Sequence, residues 1–280
     1  MNILRAIKKR FNEEILNIFL LQYRNLASKQ NIALTFGEVS LSRKLSEYNL
    51  NVIDAGARTD VFLAELFQKN KSSKILLIEP NPNFCKVLKK KISSLNLNNV
   101  RVLQLALGDH EGELTYYKHS QSLILRNVYG KKYDSKTLGS SVTLTTLDKV
   151  IQSENIDYPV FIKTDLEMYD YFALNGGKSA INQIAIAVQF ELGLETLSVN
   201  EPRKIQDFIE LFQGDWQFFI LHDKNNEYLT QINPKMAPLI RLIPDAFVEI
   251  EMMSSKGVTF NIVALHPDWV SKLNELSDLN

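Results

Sequence analysis

Acidic side chains stand at the ends of several short apolar runs in this chain, and their positions define the chemistry available to it. Val52-Ile53 leads into Asp54-Ala55-Gly56-Ala57 and then, through Arg58-Thr59-Asp60, into a helical pattern. A small-residue turn of this kind lets a ligand approach the backbone, and the amides at the following helix start can receive an anionic group. Ile75-Leu76-Leu77-Ile78 ends in Glu79, where Pro80 and Pro82 stop the strand. A carboxylate at that tip can accept hydrogen bonds from both hydroxyls of an adenosine ribose, or simply cap the next helix. Lys163, Asp165 and Glu167 close a third run, and Glu191 closes a fourth, Ala185 to Phe190. Strand alternation puts Lys163 and Asp165 on one side, with Glu167 in register where the chain stays extended. Such a cluster suits holding a hydroxyl and taking its proton; the alternative is that the acids only pair with Lys163 and orient backbone.

Other chemistries lack their residues. The turn after the first strand has only Gly56 where a nicotinamide-binding fold has Gly-x-Gly-x-x-Gly, so an oxidoreductase is the weaker reading. His110, His119, His222 and His266 are scattered without metal-ligand spacing. Asp165, Glu167 and Glu191 are hard ligands of the sort magnesium takes, yet they suit acceptor binding without metal, and no metal is assigned. The sequence contains no Gly-x-Ser-x-Gly elbow and no phosphate-binding Gly-x-x-x-x-Gly-Lys loop.

Composition narrows the partners. The 280 residues are 45% hydrophobic and 23% charged, with 32 basic and 32 acidic side chains, so no basic field exists to gather nucleic acid. Cys85 stands alone, which rules out an internal disulfide and a multi-thiolate zinc site and fits a reducing compartment. No stretch reaches the roughly 20 apolar residues of a membrane span, and the N-terminus reads poorly as a signal peptide; a cytoplasmic location is expected.

The elements that must position these groups follow from periodicity. Apolar residues from Ile3 to about Leu26 recur at helical spacing, which predicts an amphipathic helix that caps the core or packs in a homodimer. A less regular helical lead-in spans Asn31 to Asn49. Strands are predicted at Asn51–Ala55, Lys74–Ile78, Val100–Leu107, Val160–Lys163, Ile184–Phe190, Trp216–Leu221 and Thr259–Leu265, with helices at Asp60–Lys69, Asn83–Leu95, Leu147–Glu154, Tyr169–Leu174 and Glu201–Phe212. This alternation predicts a mostly parallel sheet covered on both faces. Glu113–Lys118 and Val142–Thr145 alternate like strands and flank Gly130–Ser141, a stretch that reads as a loop beside the site.

Asp54-x-Gly56-Ala57, then Ile78-Glu79-Pro80-Asn81-Pro82, then Leu105-Ala106-Leu107-Gly108-Asp109-His110-Glu111-Gly112, then Phe161-Ile162-Lys163-Thr164-Asp165-Leu166-Glu167 resemble, in order and spacing, the FkbM family of methyltransferases. Family members read approximately Asp-x-Gly-Ala-Asn-x-Gly, Phe-Glu-Pro-Asn-Pro, Ala-Leu-x-Asp-x-x-Gly and Ile-Lys-x-Asp-x-Glu-Gly-x-Glu. The likeness covers about residues 50 to 195. It implies a class I methyltransferase (Rossmann-like) α/β fold, with seven mostly parallel strands, the last antiparallel, and helices on both faces. Residues 1–49 would then be an N-terminal helical extension and 50–280 the methyltransferase domain. The implied activity is S-adenosylmethionine-dependent O-methylation of a sugar, glycan or related hydroxylated small molecule. Carried over, Asp54, Gly56 and Ala57 face the methionine end of the cofactor, Glu79 the ribose, and Ala106, Leu107 and Asp109 the adenine. By their own places at the strand ends, Lys163, Asp165 and Glu167 fall on the acceptor side, with Asp165 as the candidate proton acceptor and Glu167 and Glu191 in reserve. Asp60 and Met168 stand where the family has glycine, and Asp170 where it has glutamate, which keeps open a non-catalytic binding or scaffold protein on the same fold.

Overall fold

The computed structural model describes residues 36–119, 122–125, 140–166, 169–193, 205–221, 229–232 and 259–275. The helix expected over 3–26 and nearly all of the stretch 130–141 lie outside them. Three strands, Asn51–Ala55 (β1), Ile75–Ile78 (β2) and Val160–Thr164 (β8), are buried along their whole length. Burial on both faces is why they read as apolar runs with no polar alternation. With Val100–Leu103 (β3) and Ala185–Gly193 (β9) they form the parallel part of the main sheet, joined β1 to β2, β2 to β3, β1 to β8 and β8 to β9. Thr259–Leu265 (β12) runs antiparallel between β9 and Gln217–Leu221 (β10), and Leu229–Ile232 (β11) adds an edge. The order is therefore β11-β10-β12-β9-β8-β1-β2-β3: the expected seven strands with their antiparallel member, plus β11, which the sequence reading did not include.

The predicted strand Val100–Leu107 is split. Its first half joins the main sheet, whereas Ala106–Leu107 (β4) turns away to pair with Ser140–Thr145 (β7) in a second sheet, completed by Gly112–His119 (β5) and Ser122–Leu125 (β6). Periodicity cannot reveal such a change of partner, because Val100–Leu103 and Ala106–Leu107 both read as strand whichever neighbour they pair with.

Helices cover both faces. Phe36–Leu45 (α1), Phe62–Phe67 (α2) and Pro82–Ser94 (α3) pack over Val52, Leu77, Phe161, Ala187 and Val263. Leu147–Glu154 (α4), Asp170–Asn175 (α5), Lys178–Ile184 (α6) and Ile205–Ile209 (α7) cover Ile53, Ile78, Ile162, Val188 and Ile262 on the other side. A last helix, Pro267–Glu275 (α8), follows β12. Helix starts obey local chemistry: the Asn81 side chain accepts the Asn83 amide at 2.9 Å with Pro82 in the first turn, and Thr146 accepts the Lys149 amide at 3.2 Å. No described helix is long and apolar enough to cross a membrane.

Candidate functional site

Sequential strands β1, β2 and β3 run one way across the sheet from β1, and β8 and β9 the other, so the order reverses between β1 and β8. Ligands bind parallel sheets in the crevice at the carboxyl ends beside such a reversal. Asp54 lies there on β1, opposite Lys163 of β8, which in turn lies opposite Gln189 of β9. These three polar residues extend the apolar row Val52, Phe161 and Ala187 along the face covered by α1, because alternate residues of a strand share a face.

The turn after β1 is held from both sides. The Gly56 and Ala57 amides donate to the Ile78 carbonyl at the end of β2, at 2.9 and 3.3 Å, and the Asp165 amide donates to the Ala55 carbonyl at 2.9 Å. Gly56 has φ +88°, and its α-carbon lies so near β8 that an added Cβ would stand 2.0 Å from the Asp165 carbonyl oxygen. Asp54, Gly56, Ala57, Lys163 and Asp165 thus line one cavity of about 480 Å³, together with Glu38 and Ser42 from α1. That volume falls within the range of small-molecule sites.

Charge in this cavity is concentrated: the carboxyl groups of Glu38, Asp54, Asp60 and Asp165 share its lining with Arg58, Lys91 and Lys163. The buried Lys163 ammonium lies 3.4 Å from Asp165 Oδ2 and 3.9 Å from Asp54 Oδ1. Burial pulls the Lys163 pKa down, but the carboxylates of Asp165, Asp54 and Glu38 outweigh it and hold the group above its ordinary value, so it stays an ammonium. Asp54 is 5% exposed, and burial pushes its carboxyl up to about 6; Lys163 opposes the shift while Asp165, Asp60 and Glu38 add to it. Asp54 Oδ1 is buried and accepts no hydrogen bond. A buried carboxyl oxygen that has Lys163 at 3.9 Å but accepts no hydrogen bond, on a residue lining a cavity with three further carboxylates, fits a ligand that brings positive charge and N–H donors, and the ammonium of S-adenosylmethionine meets both conditions. Among the described residues, no group of three His, Cys, Asp or Glu side chains is placed to hold a metal ion.

Glu79 lies just beyond this cavity. Its Oε1 accepts the Asn81 amide at 2.7 Å and its Oε2 the Arg58 amide at 2.9 Å, so it ties the β1 turn to the exit of β2. Each oxygen retains a second acceptor site. At 3% exposure, burial pushes the carboxyl up to about 7 despite those two amides. A carboxyl whose folded pKa is raised binds more protons folded than unfolded, so its stabilising contribution is complete below about 4.5 and is lost as pH rises through about 7. Asp54 and Asp170, raised to about 6, act in the same direction at lower pH. Urea unfolding across this range should therefore show stability falling with pH, and Glu79→Gln should flatten the upper part of the slope while lowering stability overall, since an amide has one acceptor oxygen for two backbone donors.

The remaining predicted positions are spread out. Ala106 and Leu107 are buried in β4, and Asp109 follows them with its carboxylate 2.7 Å from Nδ1 of the exposed His110. Glu191 is half-buried on β9, opposite Asn261 of β12. Glu167 and Met168 lie outside the described residues. Asp60 lines the cavity rim and its Oδ1 accepts the Phe62 amide at 2.8 Å, so the carboxylate is engaged at the start of α2. Asp170 is buried, with Oδ2 accepting the Leu166 amide at 3.1 Å. Three residues of this region belong to no motif in the sequence: Glu38, whose carboxylate accepts from Gln189 Nε2 at 2.6 Å and from Asn261 Nδ2 at 3.2 Å, and those two partners. Gln189 had a visible signal, an amide inside the apolar run Ala185 to Phe190.

The sheet order, the reversal beside β1 and the acid-bearing strand ends define a class I methyltransferase fold. The family described as the methyltransferase FkbM domain matches residues 54–223, and the chain belongs to it. Among solved structures, methyltransferase FkbM from Methylobacillus flagellatus shares 18% identity over 65% of this chain, with a TM-score of 0.41; the match spans only 42% of that protein's length. Precorrin-6y C5,15-methyltransferase from Geobacter metallireducens shares 10% identity over 85% of this chain and 93% of its own, with a TM-score of 0.39. An rRNA methylase from Streptococcus thermophilus shares 8% identity over 84% of this chain and 98% of its own, with a TM-score of 0.40. No curated protein matches the chain.

Proposed function

We propose that this chain is an S-adenosylmethionine-dependent O-methyltransferase acting on a hydroxyl of a sugar, glycan or related small molecule. The observation that carries the reading is the buried, undonated Asp54 Oδ1 beside the Gly56 turn, in a cavity that also contains Asp165. S-adenosylmethionine supplies an electrophilic methyl group on a sulfonium. Asp54 receives N–H donors of the aminoacyl end, and Gly56 and Ala57 leave room against the backbone. Glu79 offers its remaining lone pairs to the ribose hydroxyls, and the Ala106-Leu107-Gly108-Asp109 segment borders the adenine. Asp165, 40% exposed at its side chain, accepts the proton of the acceptor hydroxyl as the new oxygen–carbon bond forms and the sulfur–carbon bond breaks. Lys163 stays protonated and orients Asp165 through the 3.4 Å contact to its Oδ2. Glu167 and Glu191 complete the acceptor side. Residues 50–280 constitute the methyltransferase domain in this reading, with 1–49 as its helical extension.

Isothermal titration with S-adenosylhomocysteine tests the proposal: the purified chain should bind it, and Glu79→Ala should weaken binding by roughly ten- to a hundredfold through loss of charge-assisted hydrogen bonds. Lack of binding by a folded wild-type chain defeats the reading and leaves a scaffold on a methyltransferase fold. Unchanged affinity in folded Glu79→Ala rejects the ribose role alone.

A further inference from the structure

We infer that Glu38 of α1 belongs to the cofactor site, where it joins Asp54 in receiving the ammonium group of the aminoacyl tail. The inference rests on the cofactor reading above. It concerns a residue that precedes the segment 54–223 matched to the family.

Helix spacing places Glu38, Leu41, Ser42 and Leu45 on one stripe. Leu41 and Leu45 are buried in the apolar cluster that holds Val52, Phe161, Ala187 and Val263, while Glu38 and Ser42 reach the cavity wall at the polar end of the same rows. The sheet thus presents an apolar band followed by a polar one, and α1 matches both in order. Glu38 is 5% exposed, so its carboxylate stands in the cavity wall in a dehydrated setting. Its orientation is fixed by amide donors from two strands, Gln189 of β9 and Asn261 of β12.

Three further observations point to a cationic ligand. Asp54 lines the same cavity, and its buried Oδ1 accepts no hydrogen bond, with the Lys163 ammonium 3.9 Å away. Four carboxylates, Glu38, Asp54, Asp60 and Asp165, share the lining with one buried cation, Lys163, and with Arg58 and Lys91 toward the helix side. Lys91 donates to the Thr59 carbonyl at 2.6 Å and so is directed at backbone. Four carboxylates lining one cavity, with Lys91 directed at backbone, favour a ligand that brings its own cation, and an ammonium carries three N–H donors to distribute among them. Glu38 is thereby a binding residue, while Gln189 and Asn261 position it.

The test compares S-adenosylhomocysteine, which carries the aminoacyl group, with 5′-methylthioadenosine, which lacks it, by calorimetry on the full chain. Glu38→Gln keeps the size of the side chain and removes its charge, and should weaken S-adenosylhomocysteine roughly tenfold while changing 5′-methylthioadenosine less than about twofold. Glu38→Asp, which keeps the charge, should recover part of the loss. Equal weakening of both ligands, or no weakening of either, overturns the inference and reduces Glu38 to a structural latch. Failure of the wild-type chain to bind S-adenosylhomocysteine instead overturns the cofactor reading, and this inference with it. Should Glu38→Gln melt early, titration well below its melting point, with the fold checked by circular dichroism, separates the effects: a loss confined to S-adenosylhomocysteine supports the inference, and an equal loss for 5′-methylthioadenosine overturns it.

Discussion

Asp165→Asn is expected to lower single-turnover methyl transfer by roughly 10²- to 10⁴-fold, the usual contribution of a positioned general base, with S-adenosylhomocysteine affinity close to that of the wild-type chain. Asp165 stands at the first position after β8, its amide tied to Ala55 and its Oδ2 to Lys163, while its side chain retains access to the cavity. Asparagine preserves the shape and the backbone tie but cannot take a proton. The buried Lys163 would keep Asp54 as a partner at 3.9 Å, so the substitution does not strand an unpaired ammonium, and the fold should survive. Transfer of a labelled methyl group to a panel of glycans and hydroxylated small molecules, compared with Glu167→Gln, is the measurement. Full activity in Asp165→Asn would move the proton-accepting role to Glu167, Glu191 or solvent.

Much of this site was legible before the structure because strand ends and turns announce themselves locally. A buried parallel strand is an apolar run that stops at a polar residue, and Asp54, Glu79 and Lys163 each mark such a stop. What periodicity could not supply was lateral information. That Asp54, Lys163 and Gln189 share one row depends on the register of three strands distant in sequence. That Glu38 meets Gln189 depends on where α1 lies over the sheet, across a sequence separation of 151 residues. The change of sheet between Val100–Leu103 and Ala106–Leu107 was hidden for the same reason: a strand's partner is not written in its own residues. Asp60 illustrates the converse. Its carboxylate stood in the sequence as a charge beside the cofactor turn, and its bond to the Phe62 amide gives it a local helix-start role that a few neighbouring residues suffice to explain.

The second large effect should come from Gly56→Ala, through geometry and not charge. Two costs combine at this position. The backbone has φ +88°, which an L side chain adopts only with strain of about 1–3 kcal/mol. The added methyl would also stand 2.0 Å from the Asp165 carbonyl oxygen and 2.9 Å from its carbon, both backbone atoms that no rotamer change can remove. Relief requires the turn to part from β8, yet the Gly56 and Ala57 amides hold it to Ile78 and the Asp165 amide holds β8 to Ala55. Stability and the site must therefore fall together. Since about 1 kcal/mol moves the melting point of a domain of this size by roughly 2–4 °C, strain alone predicts a loss of several degrees, and the contact adds to it. Gly214→Ala supplies the control, because Gly214 has nearly the same φ, +87°, with nothing within 4 Å of an added Cβ. Its melting point should drop by the strain alone and its S-adenosylhomocysteine affinity should not change. The excess loss in Gly56→Ala then measures the contact between the β1 turn and the end of β8, and equal losses in the two variants would show that the turn can move away from Asp165 at no cost.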